Sequence, residues 1–318
     1  MSYLLLVVGF AALVFGGDMM VRGAVGMAER LNIPHVIIGL TVIAFGTSAP
    51  ELFVSLDAAL TGAPGLAVGN VVGSNVANVL AVLGLPALIV VSAAPPDGLG
   101  RNLIIMIGLS LLLLIAMATG EIGRIWGAAL VIALIGFLWV QYRETLAAQA
   151  RGEATDVEDE IEEVGDLPTT IRAIIALIVF GLIGLQLGAH LIVGSAVEIA
   201  RDWGVTDAVI GVTIVAIGTS LPEMSASLSS AIKGRGALAL GNVVGSNIFN
   251  IAAILGITAM VVPIPVDPHL MRFDIWVMLA AAAVLCVLYL GKLRIGRVGG
   301  IALVGAYIAY LAATLYIV

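Results

Sequence analysis

Residues 46–51 read GTSAPE, and residues 218–223, 172 positions later, read GTSLPE. Each copy ends in a glutamate, Glu51 or Glu223, that lies inside a long apolar stretch. An acidic side chain at membrane depth costs roughly 2.5–3.5 kcal/mol on insertion scales, so a duplicated one needs a compensating partner. A bound cation is the natural candidate for that partner.

A second pair of segments repeats with the same spacing. Residues 69–78 (GNVVGSNVAN) return as residues 241–250 (GNVVGSNIFN), with eight of the ten positions identical. Internal repeats of this kind are typical of membrane transporters built from two homologous halves. The repeat therefore predicts such a division of this chain.

The composition indicates a protein with many membrane spans. Hydrophobic residues make up 61% of the chain and charged residues only 11%, with a mean hydropathy of +1.16. The apolar runs are long enough for helices across a hydrocarbon core of about 30 Å, and they lack the alternation of barrel strands. We predict ten spans, at residues 3–25, 35–60, 66–92, 102–119, 122–141, 171–197, 207–231, 238–262, 273–291 and 297–317.

The span count predicts the fold class. Each half contributes five spans, an odd number, so the second half enters the membrane from the opposite face. We expect an all-α membrane protein of two inverted five-helix repeats, the architecture of alternating-access transporters. The first repeat would cover residues 1–142 and the second residues 171–318, joined by a linker at residues 143–170.

The linker and the basic residues predict the orientation. Residues 143–170 hold nine acidic residues against two arginines, which is typical of a solvated loop, although a regulatory cation site there is an open alternative. By the positive-inside rule, the linker is expected in the cytoplasm and both termini outside the cell membrane. The loops on the linker side carry Arg22, Arg30, Arg101, Arg143, Arg151, Arg172, Lys233, Arg235, Lys292, Arg294 and Arg297, against Arg124, Arg201 and Arg272 on the other side.

Proline gives both repeats a predicted helix break. Pro50 lacks the amide that would bond to the Gly46 carbonyl, and Pro222 does the same near Gly218. We therefore expect broken helices in spans 2 and 7, with freed carbonyls that line a polar cavity. Carboxylates, hydroxyls, amide oxygens and carbonyls, without histidine or cysteine, suit hard cations such as Ca²⁺ or Na⁺ and argue against zinc or copper.

Two asparagines in the repeated segments have an open role. Asn75 and Asn247 could bind a cation directly, or they could form interhelical hydrogen bonds that hold the helices together. Residue spacing does not decide between these alternatives, because only one polar stripe of each helix can face the cavity.

These doubled segments resemble the α-repeats of the sodium/calcium exchanger family, within the cation/Ca²⁺ antiporter superfamily, and the prokaryotic members in particular. The resemblance implies exchange of about three Na⁺ for one Ca²⁺ by alternating access, in the direction of Ca²⁺ extrusion. It implies ligands at matching positions of both repeats. They are Glu51 and Glu223, Thr47 and Thr219, Ser48 and Ser220, Ser74 and Ser246, Asn78 and Asn250, and Ala44 and Ala216.

The resemblance leaves rival functions to be weighed. Relatives that exchange H⁺ for Ca²⁺ share the glutamates, so an H⁺/divalent cation antiporter is the alternative, and a cation channel is a further one. Relatives that cotransport potassium carry aspartate at the position of Asn250, and the asparagine here argues against potassium. The sequence has no P-loop or nucleophile elbow, so we expect no enzyme activity, no cofactor, no nucleic acid and no obligatory protein partner, only the lipid bilayer and the transported Ca²⁺ and Na⁺.

Overall fold

The computed structural model describes residues 2–31, 33–62, 65–92, 94–151, 168, 170–203 and 216–317, and this part of the chain is nearly all helical. The α-helices are α1 Ser2–Leu31, α2 His35–Ile38, α3 Ala44–Thr47, α4 Ala49–Leu60, α5 Gly65–Ala77, α6 Gly84–Ile89, α7 Gly100–Ala118, α8 Arg124–Arg151, α9 Ile171–Asp202, α10 Ala216–Thr219, α11 Leu221–Ile232, α12 Gly236–Phe249, α13 Gly256–Val261, α14 Ile275–Leu290 and α15 Arg297–Ile317.

Short segments of other geometry join these helices. Four π-helical segments lie at Gly39–Ile43, Asn78–Val82, Asn250–Leu255 and Leu270–Asp274, and a 3₁₀ turn lies at Asp97–Leu99. Strands β1 (Glu121–Ile122) and β2 (Ile264–Pro265) form a small antiparallel ladder. π-Helical turns often mark functional sites, and none of them follows from hydropathy.

Eight single helices of the described residues are long and apolar enough to cross a membrane. They run over Ser2–Leu31, Gly65–Ile89, Gly100–Ala118, Arg124–Ala147, Ile171–Ile199, Gly236–Val261, Leu270–Leu290 and Arg297–Thr314. A bent pair, Gly39–Thr47 with Glu51–Leu60, adds a ninth candidate span. The predicted span at 207–231 begins on residues outside the described part of the chain, which resumes at residue 216.

The two helical spans that carry the repeated asparagines form the centre of the molecule. Each single-helix candidate span contains an apolar window of 18 residues. The buried share of this window is 78% in Gly65–Ile89 and 89% in Gly236–Val261, whereas it is 44% or less in the other six single-helix spans. Many large apolar side chains on the peripheral helices are exposed, as expected for surfaces that face lipid. Examples are Phe15, Phe53, Ile125, Leu290 and Val298.

Helices α1 and α9 pack against each other with their backbones in contact. A Cβ atom built on Gly16 would lie 2.7 Å from the Leu185 amide nitrogen and 2.9 Å from the Gly181 carbonyl oxygen. One built on Gly181 would lie 2.6 Å from the amide nitrogen of Met20. Only glycine permits this approach, which is how transmembrane helices without a hydrophobic driving force commonly associate.

The second span bends where the sequence places Pro50. The axes of Gly39–Thr47 and Glu51–Leu60 differ by 46°. Ser48 at the junction leaves the helical conformation with φ −82° and ψ 5°, and Ser220 in the other repeat has nearly the same angles, φ −87° and ψ 2°. Each glutamate therefore lies in the first turn of the helix that follows the break.

The region around the predicted linker is described only at its edges. Helix α8 continues to Arg151, past the predicted linker start at residue 143. Residues 152–167, which hold most of the acidic cluster, lie outside the described residues. Helices α1 and α9 likewise extend beyond the predicted spans 3–25 and 171–197.

Candidate cation site

The two repeated glutamates are buried deep in the molecule. Glu51 and Glu223 are each 1% exposed. Each carboxylate accepts a hydrogen bond from its own backbone N–H, and the two carboxylates lie close enough to interact electrostatically. Two ionised carboxylates would repel each other there, so the site is built to attract positive charge.

A side chain from one repeat reaches the glutamate of the other. Ser48 donates a hydrogen bond from Oγ to Oε1 of Glu223 at 3.2 Å. Next to it, the Thr47 hydroxyl lies 3.4 Å from Oδ1 of Asn242 and donates to the Ile43 carbonyl at 3.1 Å. The helix breaks of the two repeats are therefore parts of one site.

Six buried side-chain oxygens near these breaks have no hydrogen-bond partner among the described residues. All belong to residues that the sequence assigned to the site. A buried polar atom without a partner costs about 1–3 kcal/mol, so such a cluster indicates a binding site rather than a packing core. The atoms are Glu51 Oε2, Glu223 Oε2, Asn78 Oδ1, Asn250 Oδ1, Ser220 Oγ and Ser246 Oγ.

In each repeat, one further asparagine holds the glutamate helix against its neighbour. Asn70 donates from Nδ2 to Ser55 Oγ at 3.0 Å and to the carbonyl of Glu51 at 3.4 Å. Asn242 makes the equivalent bonds in the second repeat, to Ser227 Oγ at 3.1 Å and to the Glu223 carbonyl at 3.4 Å. Sequence reasoning gave these asparagines no role, although their repetition in the GNVVGSN segment could have identified them.

Asn75 and Asn247, whose role the sequence left open, make interhelical hydrogen bonds. Asn78 donates to Oδ1 of Asn247 at 3.1 Å, and Asn250 donates to Oδ1 of Asn75 at 3.0 Å. Both bonds join the two repeats. Because the side-chain oxygens of Asn75 and Asn247 accept these bonds, the geometry favours the structural alternative.

The carbonyl that Pro50 frees has a partner from another helix. Gln186 on α9 donates from Nε2 to the Gly46 carbonyl oxygen at 3.4 Å. The Ala44 carbonyl accepts the backbone N–H of Ser48 at 3.1 Å. A side chain of a neighbouring helix thus supplies the hydrogen-bond donor that the Gly46 carbonyl lacks. Irregular backbone within a membrane requires such a partner.

The remaining predicted site residues lie on the same short segments. Ser74 and Ser246 are buried, and each precedes one of the paired asparagines. Ala44 is fully buried, whereas Thr219 is only partly buried. Ala216 begins α10, and its side chain lies outside the described residues.

The donor set determines which ions the site can bind. Two carboxylates supply a charge of −2, and the amide and hydroxyl oxygens are neutral. Ca²⁺ takes six to eight oxygen ligands in flexible geometry, which this set can provide. The described residues contain no cluster of three or more histidine, cysteine or acidic side chains that could hold a metal ion.

The fold and this buried acidic site define the class of the molecule, a helical membrane protein with a cation site in its core. The chain belongs to the sodium/calcium exchanger family, because the model of the "sodium/calcium exchanger protein" family matches residues 1–143 and 173–316. The match thus extends over both halves and leaves out residues 144–172.

Individual relatives agree with this assignment. The putative antiporter CaxA of Alkalimonas amylolytica is 40% identical over 307 residues, covering 95% of each chain. The sodium/calcium exchanger MaX1 of Methanosarcina acetivorans is 31% identical over 354 residues, covering 99% of each chain. A solved structure of the sodium-calcium exchanger NCX_Mj, soaked with zero Na⁺ and Ca²⁺, superposes with a TM-score of 0.81 at 30% identity, covering 98% of each chain.

Proposed function

We propose that this protein is a secondary active antiporter that exchanges Na⁺ for Ca²⁺ by alternating access. The observation that carries the proposal is the cluster of buried, unpartnered oxygens around Glu51 and Glu223, counted over the described residues. Carboxylate, amide and hydroxyl oxygens are the type of ligand that Ca²⁺ takes, in sets of six to eight, and this supports the proposal. Family membership and the similarity to MaX1 and NCX_Mj support the same two ions.

The proposed ligands come from matching positions of the two repeats. The carboxylates of Glu51 and Glu223 would be the shared acidic ligands. Thr47 and Thr219 would offer backbone carbonyls, a role that fits the engagement of the Thr47 hydroxyl with the Ile43 carbonyl. The rest of the shell would come from Ser48, Ser220, Ser74, Ser246, Asn78 and Asn250, with the carbonyls of Ala44 and Ala216 at outer Na⁺ sites.

The proposed architecture is two inverted five-helix repeats, residues 1–142 and 171–318, around an acidic linker at 143–170. Matching hydrogen bonds support this layout, since the bonds of Asn70 recur at Asn242, 172 residues later. By the positive-inside rule, the linker would lie in the cytoplasm and both termini outside the cell membrane.

Electrostatics would make the exchange obligatory. Two bare carboxylates are strongly unfavourable in a low-dielectric barrier, so an occupied site can change its access and an empty one cannot. Exchange of about three Na⁺ for one Ca²⁺ would move one net charge, worth about 2.3 kcal/mol per 100 mV, and would favour Ca²⁺ extrusion. The tightly packed helices α1 and α9 would be the sliding elements.

The experiment that tests this proposal is ⁴⁵Ca²⁺ uptake into proteoliposomes holding the purified protein. The vesicles are loaded with Na⁺ or with a non-transported cation, at fixed pH and clamped membrane potential. Uptake that requires internal Na⁺ and disappears in the Glu223→Gln variant is the expected result. The Ser230→Ala variant, in which a buried serine of the same helix is changed, serves as the control.

Each alternative outcome contradicts the proposal in a different way. Uptake driven by an acid-inside pH gradient without Na⁺ would identify an H⁺/Ca²⁺ antiporter. Uptake that needs neither gradient would identify a channel. Normal Na⁺-dependent uptake by Glu223→Gln would leave the transport class standing and overturn the site.

A further inference from the structure

The amides of Asn78 and Asn250 are held in one of two orientations. Asn78 donates its Nδ2 to Asn247 and Asn250 donates its Nδ2 to Asn75, across the repeat boundary. Their Oδ1 atoms are buried and have no partner in the described part of the chain. Both ligand candidates therefore donate hydrogen bonds from their N–H groups to the opposite repeat, and their side-chain carbonyl oxygens are left available to bind a cation.

Orientation matters because the two ends of an amide have nearly the same shape but opposite polarity. Rotation by half a turn would replace the oxygen with an NH₂ group, which only donates hydrogen bonds. An NH₂ group facing a cation removes one ligand and adds repulsion. Something in the structure must therefore favour one rotamer over the other.

Two methionine sulfurs supply that preference. Asn247 directs its Nδ2 to Sδ of Met106 at 3.7 Å, and Asn75 directs its Nδ2 to Sδ of Met278 at 3.7 Å. A thioether can accept a hydrogen bond but cannot donate one. The sulfur thus fixes which end of the neighbouring asparagine is the donor, and the oxygen of that asparagine must then face its partner amide.

Two series of contacts lead to the site, and each starts at a methionine on a flanking helix. Met106 on α7 orients Asn247 on α12, and Asn247 orients Asn78. Met278 on α14 orients Asn75 on α5, and Asn75 orients Asn250. Both methionines are buried, and their numbers differ by the same 172 residues as the repeated motifs.

We propose that Met106 and Met278 are positioning residues of the cation site, which act through Asn247 and Asn75 to turn the carbonyl oxygens of Asn78 and Asn250 toward the cation. The proposal rests on the proposed function, because it takes these asparagines as cation ligands. Neither methionine touches the cation in this scheme, and neither belongs to the repeated segments quoted from the sequence.

The two methionines differ in importance. Asn75 Nδ2 has a second acceptor, the backbone carbonyl of Asn247 at 3.4 Å, in addition to the Met278 sulfur. The acceptor that the described residues give Asn247 Nδ2 is Met106 Sδ. Loss of the sulfur should therefore weaken the preferred amide orientation of the Asn247–Asn78 pair more than that of the Asn75–Asn250 pair.

The test compares methionine-to-leucine variants, which nearly conserve volume while removing the acceptor. The variants are Met106→Leu, Met278→Leu and the control Met117→Leu, which changes a second buried methionine of α7. The readout is the KM for Ca²⁺ in Na⁺-dependent ⁴⁵Ca²⁺ uptake, with Vmax measured beside it. We expect the KM to rise about fivefold in Met106→Leu, less in Met278→Leu and not in Met117→Leu, since loss of one neutral hydrogen bond is involved.

A second measurement separates positioning from simple packing. In the Asn78→Ala background no amide is left at this position for Asn247 to orient. Met106→Leu should then add no further change, whereas a packing role predicts the same change in both backgrounds. The readout for this cycle is the Ca²⁺ concentration that gives half of the Ca²⁺-induced rise in Tm, which requires no transport.

The outcomes also distinguish this inference from the proposed function. An unchanged Ca²⁺ response in Met106→Leu, or an equal change in both backgrounds, would overturn the positioning role. Failure of the wild type to exchange Na⁺ for Ca²⁺ would overturn the proposed function alone, because the Tm measurement on the same variants would still decide the orientation of the amides.

Discussion

The hydroxyl of Ser48 donates a hydrogen bond of 3.2 Å to Oε1 of Glu223, although the two residues are 175 positions apart. Ser48 lies at the bend of the second span, three residues before Glu51, and is 4% exposed. The acidic group of one repeat is thus oriented by the helix break of the other.

This contact predicts a specific effect of removing the Ser48 hydroxyl. The Ser48→Ala variant should raise the KM for Ca²⁺ by roughly tenfold, because hydrogen bonds to charged groups contribute about 1.5–3 kcal/mol. ⁴⁵Ca²⁺ uptake into Na⁺-loaded proteoliposomes measures the change. Ser230→Ala is the matched control, since the Ser230 hydroxyl is buried on α11 and donates to the Ala226 carbonyl. Equal KM values for the two variants would contradict the role of Ser48.

Calcium should stabilise the folded protein through the two glutamates. A ligand at 100 times its Kd adds about 2.7 kcal/mol to the free energy of unfolding. We therefore expect Ca²⁺ to raise the Tm of the wild type in detergent and to leave the Tm of Glu51→Gln and Glu223→Gln unchanged. Mg²⁺ should give a smaller rise, because it demands a rigid octahedral shell and loses its water reluctantly.

This thermal experiment contains its own check on folding. Each glutamine variant should elute as the wild type does in size-exclusion chromatography and should melt in a single transition without Ca²⁺. A full Ca²⁺-induced rise in Tm in either variant would show that its carboxylate is not needed for binding.

The backbone contact between α1 and α9 predicts a loss of stability when a methyl group is added. A Cβ atom at Gly16 would lie 2.7 Å from the Leu185 amide nitrogen, and a backbone atom cannot rotate away. Gly16→Ala should lower the free energy of unfolding by about 1–3 kcal/mol, as overpacking commonly does. Thermal unfolding in detergent, followed by circular dichroism, is the measurement.

A glycine on the lipid-facing surface provides the comparison. Gly136 on α8 is exposed, and a Cβ atom there would meet no heavy atom within 4 Å among the described residues. Gly136→Ala should therefore keep or slightly raise the Tm. If both alanine variants melt alike, the close approach of α1 and α9 is not needed for stability.

A hydrogen-bonded acid at the start of α14, Asp274, predicts a different stability effect. Asp274 is 2% exposed, accepts the hydroxyl of Tyr310 at 2.8 Å and lies 2.8 Å from Nδ1 of His269. Tyr310→Phe would deprive Oδ1 of this donor and should cost about 2 kcal/mol of stability. Tyr307→Phe, a change at a buried tyrosine of the same helix, should cost less stability. The measurement is the Tm of each variant, and an equal loss in both would contradict a role for the Tyr310–Asp274 hydrogen bond.

Sequence alone predicted the features that depend on local covalent structure. Pro50 removes a helical amide wherever it stands, so the bend near Ser48 followed from one residue. The paired glutamates followed from duplication, the full set of ligand candidates came from the family resemblance, and hydropathy predicted the long apolar helices. The ends of α1, α8 and α9 extend beyond the predicted spans, because helical hydrogen bonding can continue past the apolar core into the polar interface.

The features that sequence reasoning missed depend on which side chains meet across the repeats. The roles of Asn75 and Asn247 became apparent only when each was seen to bond to the opposite half. Gln186 was not predicted to meet the Gly46 carbonyl, because no local pattern brings α9 to the bend. Met106 was missed for a further reason, since methionine in an apolar helix usually fills space.

The hydrogen bonds across the repeats also constrain how the protein is made. Asn78 bonds to Asn247, 169 residues later, and Ser48 bonds to Glu223, 175 residues later. At synthesis rates of about 5–20 residues per second, the first half waits on the order of ten to thirty seconds for these partners. During that interval Glu51 lies in a nascent chain without the groups that complete its site. Assembly of the ion pathway is therefore among the last steps of biogenesis, and it requires insertion of the second half into the bilayer.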